Sequence, residues 1–182
     1  MTTTKWELDP THSEIQFKIK HLMISTVTGQ FNQFNGTVET TGHDFTTAKI
    51  LFSADVSSIS TNNEQRDAHL KSGEFFDIEN HPRLNFRSDR LEKINDEEYT
   101  LSGELTIKGV SKKVSLNVEF GGETVDPWGN TRVGFSIAGK IDRKDFGINF
   151  SAVTETGGLL LGDDIKVDAN AEFVKQLEAQ PA

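Results

Sequence analysis

The sequence predicts an all-β protein, an antiparallel eight-stranded barrel with a short helix inserted near residues 61–72. Three observations carry that prediction. Runs of alternating apolar and polar residues recur along the chain, each apolar on one side only, which excludes a parallel sheet covered on both faces. Short turn signals separate the runs, so neighbouring strands pair antiparallel. A sheet of about eight strands can close into a barrel or split into a sandwich; closure is favoured because it removes the exposed edges, around an interior that is either filled by side chains or holds one small ligand.

The elements follow in order. Ile15, Phe17 and Ile19 alternate with Gln16, Lys18 and Lys20. Phe31 and Phe34 have opposite parity, which predicts a bulge between them. Ala48, Ile50, Phe52, Ala54 and Val56 form the next row, followed by Gly103, Leu105 and Ile107, and then by Val114, Leu116, Val118 and Phe120. Val133, Phe135, Ile137, Gly139 and Ile141 share one parity, Phe146, Ile148 and Phe150 continue as strand, and Ile165, Val167, Ala169, Ala171 and Phe173 complete the set. Turns are expected at Asn35-Gly36, Thr41 to Asp44, Asn95-Asp96, Gly109 to Lys112, Gly121-Gly122, Asp126 to Gly129 and Gly157-Gly158.

The alternation stops between Thr61 and Phe86. Thr61 with Glu64 three residues on is a capping box, Lys71 suits a helix C-terminus and Gly73 supplies a stop, so Thr61 to Ser72 reads as a helix. Its only hydrophobic side chains are Ala68 and Leu70, whereas Phe75 and Phe76 follow directly. A polar helix bearing Arg66, His69 and Lys71 ahead of two Phe fits a plug at the mouth of something apolar, or a connector covering an open sheet end.

Length and charge narrow the function. At 182 residues the chain is read as one domain, 1–182. A net charge of −9 repels phosphate backbones and anionic lipid surfaces at long range, so nucleic acid is not an expected partner. The absence of Cys removes thiolate nucleophiles, disulfides and sulfur-ligated metals. MTTTKWELDP lacks a basic stretch followed by an apolar one and no later run is long enough to span a bilayer, so a cytoplasmic location is expected, with no integral membrane segment.

No catalytic constellation emerges. His12, His21, His43, His69 and His81 lack zinc-protease spacing, so neither a metal nor another cofactor is expected. Asp145-Phe146-Gly147 has no accompanying glycine-rich loop or catalytic-loop sequence and reads as strand and turn. Glu64, Arg66, Asp67 and His69 are the densest titratable group; on a helix Arg66 neighbours His69, and Asp67 neighbours Lys71. That group supports either acid–base chemistry or a solvated helix face. Of 13 Phe, most fall at inward parity, which fits a filled core or a lumen lined with rings for an apolar ligand.

Arg66-Asp67 with His69-Leu70, then Phe75-Phe76 and Pro82 ahead of Phe86, resembles the signature of the YceI-like lipid-binding family. The similarity extends through Trp6 to Pro10 with His12-Ser13, Phe17 with His21-Leu22, Gly29 to Gly36, Gly103 to Val110, Asp126-Pro127-Trp128-Gly129 with Arg132, Gly134 and Phe135, and Lys140 to Arg143 before Asp145-Phe146-Gly147. Lys113 departs from it, standing where the family commonly has proline.

The resemblance implies an extended lipocalin-like antiparallel barrel that binds a long-chain isoprenoid or fatty amphiphile without catalysis, with roles in isoprenoid quinone metabolism, lipid transport or stress response suggested for such proteins. Many relatives are periplasmic. An enzyme acting on a prenyl-type lipid and a stress or interaction protein with a filled barrel are the alternatives, and a homodimer is the assembly to test. The expected lumen residues are Phe17, Ile19, Leu22, Phe31, Phe34, Phe52, Phe75, Phe76, Phe86, Leu105, Ile107, Phe135 and Phe146. A head group on the ligand of so acidic a protein needs a local positive spot, for which His21, Arg66, His69 and Lys71 are the candidates.

Overall fold

The computed structural model describes residues 2–150 and 161–177. Among the described residues eleven strands lie in one sheet in the order β1-β4-β5-β7-β8-β9-β10-β11-β2-β3-β6, and a further pairing of β1 with β11 closes it. They are β1 (Thr3–Leu8), β2 (Glu14–His21), β3 (Ser25–Phe31), β4 (Phe34–Thr41), β5 (Asp44–Asp55), β6 (Ile59–Ser60), β7 (Arg83–Lys93), β8 (Glu98–Ile107), β9 (Val110–Val125), β10 (Thr131–Asp142) and β11 (Leu161–Lys175). Every pairing is antiparallel.

Eleven strands make an eight-stranded barrel because three of the eight staves are broken, the third being β5 with β6, which pair with β4 and β3 on either side of the Val56–Ser58 turn. β11 pairs with β2 along Leu161–Asn170 and with β1 at Phe173–Lys175, so β1 and β2 lie end to end along it. β3 pairs with β2 and β4 with β1, so they form the next broken stave. The expected bulge between Phe31 and Phe34 is this break: Asn32 and Gln33 leave the ladder, and both backbone N–H groups donate to Ser58 Oγ at 3.1 and 2.9 Å.

Several sequence expectations are corrected. Asn35-Gly36 lies inside β4 rather than in a turn. Gly121-Gly122 is an irregularity within β9, opposite the register shift at Gly134/Phe135, with Gly122 at φ +120°. Val56 begins a 3₁₀ turn, Val56–Ser58, rather than ending a strand row. Arg143–Phe146 is a 3₁₀ turn and residues 147–150 are irregular, so Phe146, Ile148 and Phe150 form no strand. The turn at Gly157-Gly158 lies outside the described residues.

The helix α1 is Glu64–Lys71, between β6 and β7. Asn63, not Thr61, is its N-cap: the Asn63 side chain accepts from the Arg66 backbone N–H at 2.9 Å. Ser72, not Gly73, ends it, its N–H donating to His69 O. With no buried residue of its own, α1 is held by its polar ends and by the buried Phe75 and Phe76 after it.

Candidate functional site

Two apolar clusters share the barrel interior. Toward one end Trp6, fully buried, donates from Nε1 to Thr40 Oγ1 at 3.2 Å and packs on Phe45, which in turn meets Phe120 and Phe135. Toward the other end Phe31, Phe75, Phe76, Phe146 and Ile148 gather under α1. Between them the core is not filled. A cavity of about 460 Å³ extends from Phe45, Leu91 and Phe173 to His21, Arg66 and His69. That volume is in the usual range for small-molecule sites, roughly 300–1,000 Å³.

The walls are aliphatic and aromatic, and among the described residues no carboxylate side chain lines them. Except for Gln16, the polar residues on the lining are His21, Thr61, Arg66, His69 and Arg143, and all of these belong to the α1 end. The cavity therefore has an apolar barrel wall and a cationic, hydrogen-bonding mouth.

The mouth is assembled from the end of β6. Asp67 Oδ1 accepts from the Thr61 N–H at 2.8 Å and from Thr61 Oγ1 at 2.6 Å. Arg66 donates from Nε to Thr61 Oγ1 and from Nη2 to Thr61 O, both at 2.7 Å. Arg66 and Asp67 thus fasten the helix to Thr61, and Asp67 turns there instead of pairing with Lys71. The His69 ring stands edge-on to Phe75 and Phe150, at 4.9 and 5.0 Å, and its Nε2 is hydrogen-bonded to Glu74 Oε2.

Most expected lumen residues line the cavity: Phe17, Ile19, Phe31, Phe52, Phe75, Phe76, Phe86, Leu105, Ile107, Phe135 and Phe146. Phe34 does not; it packs on Phe52, ring centroids 6.1 Å apart, and against both apolar clusters. Leu22 does not either, because it occupies the β2–β3 turn at φ +52° and is 37% exposed. Of the head-group candidates, His21, Arg66 and His69 reach the cavity and Lys71 does not.

Sequence reasoning assigned no role to Arg143, which is 1% exposed at the end of β10. Its guanidinium donates to three backbone carbonyls, from Nε to Gly162 O at 2.9 Å and from Nη1 to Ile148 O at 2.8 Å and Phe150 O at 2.6 Å. It satisfies the backbone of the irregular segment that replaces a strand here, which is why a charged side chain is tolerated in the wall. Among the described residues Nη2 makes no hydrogen bond, and it lies 3.8 Å from Asp163 Oδ1.

A second polar cluster, on Asp9, His12, Asp126, Arg132 and Glu172, is remote from that mouth. Asp9, His12 and Glu172 bring three potential metal-ligand atoms together. Arg132 already lies among them, donating from Nη1 to Asp9 and Glu172 at 2.8 and 2.7 Å and from Nε to Asp126 at 2.7 Å. Hydrogen bonds from Thr11 and Arg132 hold Asp9 well below the carboxylate range, and Arg132 holds Asp126 at about 2. The cluster ties β1, β10, β11 and the β9–β10 turn together.

The residues 6–173 match the YceI-like domain. The chain belongs to the YceI-like family. A UPF0312 protein of Staphylococcus aureus strain N315 is 42% identical over 171 residues, which is 93% of this chain and 97% of that one. The YceI protein of Campylobacter jejuni is 35% identical with a TM-score of 0.75, covering 88% of this chain and 91% of that one. A polyisoprenoid binding domain from Saccharophagus degradans, implicated in plant cell wall breakdown, shares the fold at a TM-score of 0.70 with 16% identity, covering 94% of this chain and 98% of that one. The YceI-like barrel is thus shared across distant sequences.

Proposed function

We propose that this protein binds a long-chain isoprenoid or related amphiphilic lipid, tail in the barrel and head group at the α1 mouth, and holds or transports it without covalent chemistry. The observation that carries this reading is the closed barrel left hollow, apolar along its length with its cationic side chains at one end. An aliphatic chain gains about 0.8 kcal/mol per CH₂ removed from water, so the wall supplies affinity and the mouth supplies orientation. Arg66 and His69, with no carboxylate on the lining among the described residues, suit an anionic or hydrogen-bond-accepting head group. The Saccharophagus domain of the same fold is described as polyisoprenoid binding, which agrees with a tail of this class.

Of the three residues on which an enzyme reading rests, His69 lines the cavity with its Nε2 hydrogen-bonded to Glu74, and neither carboxylate reaches the lining. Asp67 is satisfied by Thr61, and Glu64 is exposed and off the cavity. Native mass spectrometry of protein purified without detergent, followed by organic extraction, tests the proposal. A stoichiometric long-chain amphiphile is the expected result. A clean apo mass that stays unshifted when prenyl phosphates, quinones and fatty amides are offered would sink it.

A further inference from the structure

The β2–β3 turn carries three consecutive apolar side chains into solvent: Leu22 is 37% exposed, Met23 56% and Ile24 83%. Leu22 and Met23 also have positive φ, +52° and +60°. Glycine, Asn or Asp would take those angles with little strain, whereas branched and long apolar side chains do not. The turn therefore spends both solvation and backbone strain on keeping large apolar groups at its tip.

The tip adjoins the mouth. His21, which precedes Leu22, lines the cavity, as does Leu161, its partner on β11. β6 runs antiparallel to β3, so the chain leaving it toward α1 heads to the same end. The outward faces of β2, β10 and β11 behind the tip carry Lys18, Lys20, Lys140 and Lys166 against Asp142, Asp164 and Asp168. In a chain of net charge −9, these outward faces are close to neutral.

We propose that the Leu22–Ile24 tip inserts into the surface of a lipid bilayer and sets the cavity mouth against it, so that ligand passes between membrane and lumen without crossing water. This rests on the reading that the ligand is a membrane amphiphile. The occupant is a bilayer because the tip is small, apolar and convex and stands beside the opening through which such a ligand must pass. Balanced local charge makes the docking hydrophobic, hence insensitive to salt and indifferent to anionic lipid.

The test is co-sedimentation of the full chain with phosphatidylcholine vesicles, with and without phosphatidylglycerol, at low and high salt. Wild type is expected to bind both compositions alike. Leu22→Asn with Met23→Gly suits the left-handed turn, so this double variant should be at least as stable as wild type toward denaturant while losing binding; adding Ile24→Ser should remove the rest. A loss of about tenfold per side chain is expected, the lower end of what burying an aliphatic side chain supplies.

Trp128→Ser serves as the control, since Trp128 is 81% exposed in the turn before β10 while the tip lies near that strand's other end. Unchanged vesicle binding by the tip variants, loss of binding by Trp128→Ser alone, or binding that appears only with anionic lipid and vanishes in salt would each overturn the proposal. So would tip variants that convert a dimer to a monomer in sedimentation and leave vesicle binding intact. Vesicle binding is read without reference to lumen contents, so an empty lumen in mass spectrometry would sink the proposed function, whereas failure of docking alone would leave it standing.

Discussion

Gly29→Ala separates lumen shape from fold stability. Gly29 sits at inward parity on β3 directly opposite Phe17 on β2, and a Cβ built there lies 2.8 Å from Phe17 Cε1 and Cε2, with Cζ closer still. Carbon atoms pack at about 3.5–4 Å, so the ring must move by about 1 Å or more. It can do so because its far side is open cavity. Overpacking costs about 1–3 kcal/mol, partly offset by about 0.5–1 kcal/mol from replacing a glycine within a strand, for a net loss of about 0.5–2 kcal/mol. The ligand loses more. If the displaced ring takes the space of one five-carbon unit, about 4 kcal/mol of burial is forfeited by a chain that fills the lumen, close to three orders of magnitude in affinity. The assay is competition against a fluorescent lipid with a series of prenyl chains of rising length, run beside urea unfolding. Affinity should fall for the longest chains and hold for the shortest, and Phe17→Leu in the same protein should restore it. A length profile identical to wild type would refute the claim that Phe17 delimits the lumen. Gly103→Ala provides the contrast: its Cβ meets the Arg87 backbone carbonyl as well as the Phe86 ring, so stability should fall by about 3 kcal/mol.

The mouth and the supporting clusters give further expectations. Arg66→Ala with His69→Ala should weaken a phosphorylated lipid about ten- to a hundredfold by calorimetry and leave the matching alcohol nearly unchanged, because bonds to a charged group contribute about 1.5–3 kcal/mol. Equal affinities for wild type and variant would remove the head-group assignment. Arg143→Met strands three carbonyls, and should cost about 3–5 kcal/mol in urea unfolding. Asp126 has its folded pKa depressed to about 2, so its contribution to stability is present above the unfolded carboxylate value near 4 and is lost as pH falls toward 2. Unfolding midpoints measured between pH 5 and pH 2 should therefore decline, and Arg132→Gln should flatten that decline while lowering stability at pH 7.

Alternation revealed the staves whose ladders are regular and missed those whose ladders are interrupted. β7 places Leu84 and Phe86 inward and then, past a register shift between Ser88 and Arg90, Leu91, so its two halves have opposite parity and cancel in any period-two reading. β3 has Gly29 at the centre of its inward row, which leaves only Val27 and Phe31 to signal a strand. The segment after Asp142 misled in the other direction. Phe146, Ile148 and Phe150 alternate because a 3₁₀ turn and an irregular stretch both direct them to the α1 end, and what makes that stretch possible is Arg143 binding its carbonyls. A buried arginine shortly before alternating aromatics is a signal of clamped irregular backbone that composition alone does not convey.

Parity tells which side chains face inward; it does not tell whether they meet in the middle. In this barrel the difference is made by glycines in inward rows. Gly29 lies under the Phe17 ring, Gly103 under Phe86 and Gly139 under Leu116, each a large residue of a neighbouring strand. A large side chain laid across its neighbour's glycine lies along the wall instead of projecting toward the axis, and three such pairs leave width in the lumen. Gly103 and Gly139 stand in inward rows in the sequence itself, where they read as losses of packing. Paired by register with a large side chain on the adjacent strand, they become the physical reason the barrel is hollow.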